Sequence, residues 1–304
     1  MCDIGGTIEL VRRDVLLSNP GRHAIPDEQL HFPFLYESEN GNWYMAYREE
    51  PHMEKRFGPG NQVQCVQSRD RRATWLPWMG MLAEPLMRQL FVTRLNNSSL
   101  ISYRCRMSEL HWSVNGTLEG TTIILRSQDE GATWTRHDAP VSKLPFSLES
   151  LLVSPWGHAL EMPNERLLWP TYSREGNTIS GVVQSTDGGH SFMWFTNLCE
   201  DNTVDEQREP GLVRLASGEL LALLRCARHP MVEVRSSDGG HTWSPPRRLP
   251  RPGVCPQLML LENGVMVYSY GTRRDVHIMA SWDGTGSQWS DSLVLYRGSN
   301  RRLQ

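Results

Sequence analysis

Five times along this chain of 304 residues, at intervals of 45 to 59, a serine is followed two positions later by an aspartate and then by a small residue, a hydroxyl residue and an aromatic ring. The copies are Ser68–Trp75, Ser127–Trp134, Ser185–Phe192 and Ser236–Trp243, with a fifth, Ser281–Trp289, that carries one extra residue. The first has Arg72 where the next three have glycine. Self-similarity on this scale is the signature of a repeat architecture, in which each unit buries its apolar surface against the next. The residue types are those of a hairpin turn: Asp and Ser side chains accept and donate to turn amides, Gly supplies a backbone conformation that others resist, and the ring folds back onto a sheet.

Each octet follows two apolar runs of strand type. In the fourth repeat these are Gly211–Leu215 and Glu219–Arg225, joined by Ala216-Ser217-Gly218, and Val232–Arg235 then leads into the box. The first repeat reads likewise, with Phe32–Tyr36, Trp43–Arg48 and Val63–Val66. The unit is therefore strand A, turn, strand B, loop, strand C, box, strand D, which is the blade of a propeller. Units whose A strands start near 32, 90, 158, 210 and 256 fill the chain, and we expect one all-β domain over residues 1–304. Thr7–Leu17 has the pattern of a strand that closes the ring.

The bulk numbers agree with this reading. Eleven tryptophans and 25 glycines suit short strands and tight turns rather than a helical bundle. A net charge of −3 argues against nucleic acid as a partner, and no apolar run approaches membrane-spanning length. Six scattered cysteines without a CxxC pair read as free, mostly buried thiols. The N-terminus shows no basic and apolar leader, so the chain as written is expected in the cytoplasm, or secreted or periplasmic if it is a fragment. No metal-ligand spacing and no nucleotide fingerprint is present, so no cofactor is expected. Lys55 and Lys143 are the only lysines against 29 arginines. Codon usage would produce that bias, and so would carboxylate recognition by guanidinium groups.

In an antiparallel blade, the start of A and the end of B lie at one end and the C–D turn at the other. A site built around the axis therefore draws on A starts and B ends, away from the boxes. The A starts are His31, His158, Arg208 with Glu209, and Cys255. The B ends are Tyr47-Arg48, Tyr103-Arg104, Tyr172, Arg225, and Tyr270 followed by Arg273-Arg274. Repeated tyrosine and arginine suit an acidic saccharide, through ring stacking and carboxylate binding, although Tyr also favours strands for its own reasons.

The repeated octet and the A/B pattern over residues 30–296 resemble the Asp-box propellers of the sialidase superfamily. That resemblance implies six blades, of which five are readable here and the last is incomplete. It also implies exo-sialidase chemistry: three arginines on the substrate carboxylate, a Tyr nucleophile assisted by a Glu, and an acid/base Asp. Under it, Glu209 in Glu209-Pro210-Gly211 matches the assisting glutamate, Arg225 the second arginine, and Arg274 or Arg273 the third. The first arginine is replaced by His31 in His31-Phe32-Pro33. The acid/base loop offers His52, Glu50 or Glu54 and no aspartate. The expected tyrosine falls beyond Gln304, with Tyr270 and Tyr296 off the motif position. The expected catalytic set is thus Glu209, His52, Glu54 and Tyr270. The expected substrate-binding set is His31, Arg48, Arg104, His158, Tyr172, Arg208, Arg225, Arg273 and Arg274. A uronate lyase or other glycosidase on this scaffold, with His52, His158 or Tyr172 moving a proton, and a non-catalytic glycan-binding propeller are the alternatives. In each the partner is an acidic saccharide or glycoconjugate.

Overall fold

The computed structural model describes residues 6–11, 29–50, 62–70, 73–78, 91–103, 108–145, 153–173, 178–201, 204, 206–226, 229–272 and 275–297. These residues form strands and turns, with no helix among them. The chain divides into two compact units, one drawn from Arg12–Glu109 and Gly120–Pro140, the other from Met1–Val11, Leu110–Glu119 and Val141–Gln304.

The first of these units opens with an antiparallel sheet of β1 (Gln29–Glu37), β2 (Trp43–Glu50), β3 (Gln62–Ser68) and β4 (Leu76–Pro77). β5 (Val92–Arg94) and β6 (Leu100–Tyr103) follow, and β7 (Ser108–Trp112) pairs with β8 (Leu118–Ser127). β9 (Thr135–Leu144) then leads out of the unit. Its core gathers Phe34, Tyr44, Trp78, Leu100 and Ile123.

The other unit repeats the up-and-down pattern. β10 (Val153–Pro155), β12 (Leu167–Ser173), β13 (Ser180–Ser185) and β14 (Phe192–Asn197) form one run, with β11 (Leu160–Glu161) also on β12. Two four-stranded sheets follow: β15 (Arg208–Arg214), β16 (Leu220–Arg225), β17 (Val232–Ser236) and β18 (Arg247–Arg248), then β19 (Val254–Leu260), β20 (Met266–Gly271), β21 (Asp275–Ser281) and β22 (Leu293–Arg297). Strand β16 is apolar on both faces, Leu220–Leu224 being fully buried, as a strand sandwiched between neighbours must be. Cys65, Cys199 and Cys226 are buried, while Cys255 is only half-buried.

All five octets are closed turns. In each, the serine hydroxyl donates to the aspartate two residues on, at 2.7–2.9 Å. In the first four, the hydroxyl of the fourth residue after the aspartate donates to its other oxygen at 2.6 Å. The extra residue of the fifth changes the ring size: Thr285 reaches Asp283 from two positions away, at 2.9 Å. The box carbonyls also receive donors from the preceding sheet. Trp78 Nε1 donates to Gly131 (3.1 Å), Arg166 Nη2 to Gly239 (2.6 Å) and Arg235 Nη2 to Thr285 (2.8 Å). The expected closing strand is not formed at residues 7–11, where Val11 is 89% exposed and so has no sheet to pack on. Residues 12–17 of that expectation lie outside the described ones.

Candidate functional site

The sheet β15–β18 places its A start beside its B end, since Arg208 and Arg225 are register partners. Pairing resumes at Gly211 with Leu223, three steps along β15 against two along β16, so one extra residue is inserted as a bulge. The same count recurs in β19, where Val254 pairs with Gly271 and Gln257 with Ser269. It recurs again in β1, where His31 pairs with Arg48 and Phe34 with Ala46. In all three strands a proline occupies the same place, Pro33, Pro210 or Pro256, where its missing N–H leaves no ladder bond unmade.

The residues before two of these prolines are conformationally unusual. Glu209 has φ +50° and Cys255 φ +51°. Non-glycine residues rarely enter that region, at a cost of about 1–3 kcal/mol each, and they do so where surrounding structure holds them. The holding contacts are present. Glu209 is 3% exposed, and its Oε1 accepts from Arg225 Nη1 at 2.6 Å. Its Oε2 accepts from the Cys255 amide at 3.0 Å and the Cys255 thiol at 3.3 Å. Strands β15 and β19 approach so closely here that a Cβ on Gly211 would lie 2.7 Å from the Pro256 carbonyl oxygen. Only glycine fits at 211.

Arg225 is a quarter exposed beside this anchor. Burial alone would lower its pKa; the Glu209 carboxylate more than reverses this and holds the guanidinium above the usual arginine range, with Cys255 and Tyr172 contributing less. Arg208, directly opposite on β15, is also a quarter exposed and pairs with Glu206 at 3.1 Å. Its buried Nε has no hydrogen-bond partner among the described residues. Like charges directly opposite each other are unfavourable in a sheet unless something anionic lies between or beside them. Here each arginine has its own carboxylate.

Several expected site residues thus come together: Glu209, Arg225 and Arg208, with Tyr172 buried close by and its ring edge-on to Trp156 at 5.7 Å. His158 is exposed and lines an apolar cavity of about 230 Å³ with Leu160, Gly211, Val213, Gln257 and Met259. Tyr270 belongs to a different cluster. It is 2% exposed, stacks on His277 at 5.0 Å and on Tyr268 at 5.1 Å, and its hydroxyl meets Ser292 Oγ at 3.4 Å. The backbones of His31 and Arg48 are register partners, and their side chains lie outside the described residues. So do His52, Glu54, Arg104, Arg273 and Arg274 in full. The thiol contact of Cys255 is what sequence reasoning missed. Its signal was the shared two-residue spacing to proline in His31-Phe32-Pro33, Arg208-Glu209-Pro210 and Val254-Cys255-Pro256.

Residues 90–304 match the family model described as a BNR repeat-like domain. A curated relative, the anhydrosialidase of Macrobdella decora, is 32% identical over 155 residues. That match takes in 49% of this chain and only 18% of the length of that protein. Among solved structures, a protein of unknown function from Dyadobacter fermentans superposes with a TM-score of 0.70 at 19% identity, covering 90% of this chain and 85% of that one. A Hadza microbial sialidase gives 0.65 at 16% identity, over 88% and 59%. The intramolecular trans-sialidase from Ruminococcus gnavus gives 0.62 at 14% identity, over 90% and 86%. The chain belongs to the BNR repeat-like domain family, and its fold is the all-β propeller shared with sialidases.

Proposed function

We propose that this chain is a carbohydrate-active hydrolase of exo-sialidase type, which removes a terminal acidic sugar from a glycan. The observation that carries the proposal is the opposed pair Arg208 and Arg225, partly exposed at the A-start end of β15 and β16, with Arg225 braced from behind by buried Glu209. A planar guanidinium with one nitrogen fixed to a carboxylate keeps the rest of its fork for a second carboxylate, which is the group that distinguishes an acidic sugar. The anhydrosialidase relative and the sialidase neighbours support the same class of reaction. Glu209 supplies fixed negative charge beside the reacting group. Taking a proton from a substrate or a tyrosine would require Oε2 to exchange its Cys255 donors.

The full engagement of both Glu209 oxygens favours one second reading, a glycan-binding propeller without turnover. Incubation with sialosides and uronate oligosaccharides, followed by mass spectrometry, separates the two. Free sialic acid that disappears in Arg225→Ala and Glu209→Gln variants supports the hydrolase. Saturable binding without product supports the lectin-like reading, and an unsaturated, dehydrated product would mean a lyase.

A further inference from the structure

Glu209 is held by residues distant in sequence, and two of its three hydrogen bonds come from a single residue. Arg225 takes Oε1, while the amide and the thiol of Cys255 both converge on Oε2, at 3.0 and 3.3 Å. Cys255 adopts a left-handed φ of +51° immediately before Pro256, on a bulge that matches the Glu209–Pro210 bulge of the neighbouring inner strand. The two bulges meet where Gly211 has no room for a side chain. A β-branched or larger apolar residue at 255 would leave Oε2 with one donor, and the carboxylate would be free to rotate away from Arg225.

We infer that Cys255 is a positioning residue: its thiol and amide fix the Glu209 carboxylate in the plane that aims the Arg225 fork at the ligand. This rests on the proposed role of Arg225 as the anion-binding group. The thiol acts as a hydrogen-bond donor, in the protonated form that a carboxylate at 3.3 Å favours. Serine preserves a donor at this place and alanine removes it.

Two measurements test the assignment. The first is kcat/KM and KM on a fluorogenic sialoside for the full chain and for Cys255→Ser and Cys255→Ala. We expect Cys255→Ala to lose roughly tenfold in kcat/KM, mostly through KM, as for loss of a hydrogen bond to a charged group, and Cys255→Ser to recover most of it. Equal activity in all three, or a serine variant as impaired as the alanine one, overturns the assignment. The second needs no turnover: iodoacetamide labelling at pH 7, resolved by peptide mass spectrometry, in the wild type and in Glu209→Gln. Removing the adjacent negative charge raises the thiolate fraction, so labelling of Cys255 should rise several-fold while buried Cys226 is unchanged. No rise, or an equal rise at Cys226, overturns it. A wild type inactive on every sialoside would refute the hydrolase reading and leave the labelling result to decide on Cys255.

Discussion

Two carboxylates of the β15–β18 unit, Asp238 and Glu209, are held near opposite ends and in opposite ways. Asp238 is exposed, and its partners Ser236 and Thr242 lie within four residues of it. Glu209 is buried, and its partners lie 16 and 46 residues away. Asp238 sits in a turn whose awkward dihedrals fall on Gly239 and Gly240, whereas Glu209 takes a positive φ itself. The bonds to the first carboxylate come from within eight consecutive residues. The second arrangement exists only when two inner strands are already docked. A carboxylate with local partners reads as architecture, and one whose partners arrive from other strands, at a conformational cost, reads as a site.

The sharpest way to break this contrast is Arg225→Ala. It should lower kcat/KM on a sialoside by about 10²–10³-fold and stability by about 3 kcal/mol, because Glu209 is left buried and uncompensated. Urea unfolding alongside kinetics checks both, and a variant with unchanged stability would show that the pair is not the anchor described. Gly211→Ala comes next. Its Cβ would press on a backbone oxygen, so we expect about 1–3 kcal/mol of destabilisation and a weakened site, read as a lower urea midpoint and a raised KM. Trp78→Phe, which removes one donor to the Gly131 carbonyl and keeps an aromatic ring, should cost about 1 kcal/mol and leave the Glu209 site unaffected.

The smallest effect is the acid limb of stability. The Thr74 hydroxyl and amide hold the Asp70 carboxyl down at about 2, and Thr242 lowers Asp238 in the same way. An unfolded aspartate titrates near ~3.9, so the Asp70 box contributes above about pH 4 and loses that contribution as pH falls through about 2. Asp70→Asn should flatten the dependence of stability on pH over that window, lying below the wild type at pH 7 and converging with it toward about pH 2. A curve that stays equally steep would mean the boxes do not govern acid unfolding.

How much of this was legible in the sequence follows from the same contrast. The octets were readable because every bond that closes them is local, and β16 and β17 fall within a residue or two of the expected runs because Leu220–Leu224 and Val232–Val234 are bounded by turn residues. Arg208, Glu209 and Arg225 became candidates by asking which strand ends share an end of a blade, which needs topology and no contacts. The Cys255 contact was not legible as such. It depends on two bulges meeting across neighbouring sheets, and a bulge leaves only a proline as its trace. The surroundings of Tyr270 were not legible for a related reason: a strand-end position does not say that His277 and Tyr268 will stack on the ring.

The clasps on the box carbonyls bear on how such a chain could have grown. Their donors are Trp78, Arg166 and Arg235, drawn from different chemistry and different places in their sheets, while the acceptor is always a main-chain oxygen of the next box. A main-chain oxygen survives every substitution. A duplicated unit would therefore arrive already able to be gripped by its predecessor, and the gripping residue could be reinvented afterwards by drift. That asymmetry lets copies diverge as far as Ser68–Trp75 and Ser281–Trp289 have done without the array coming apart.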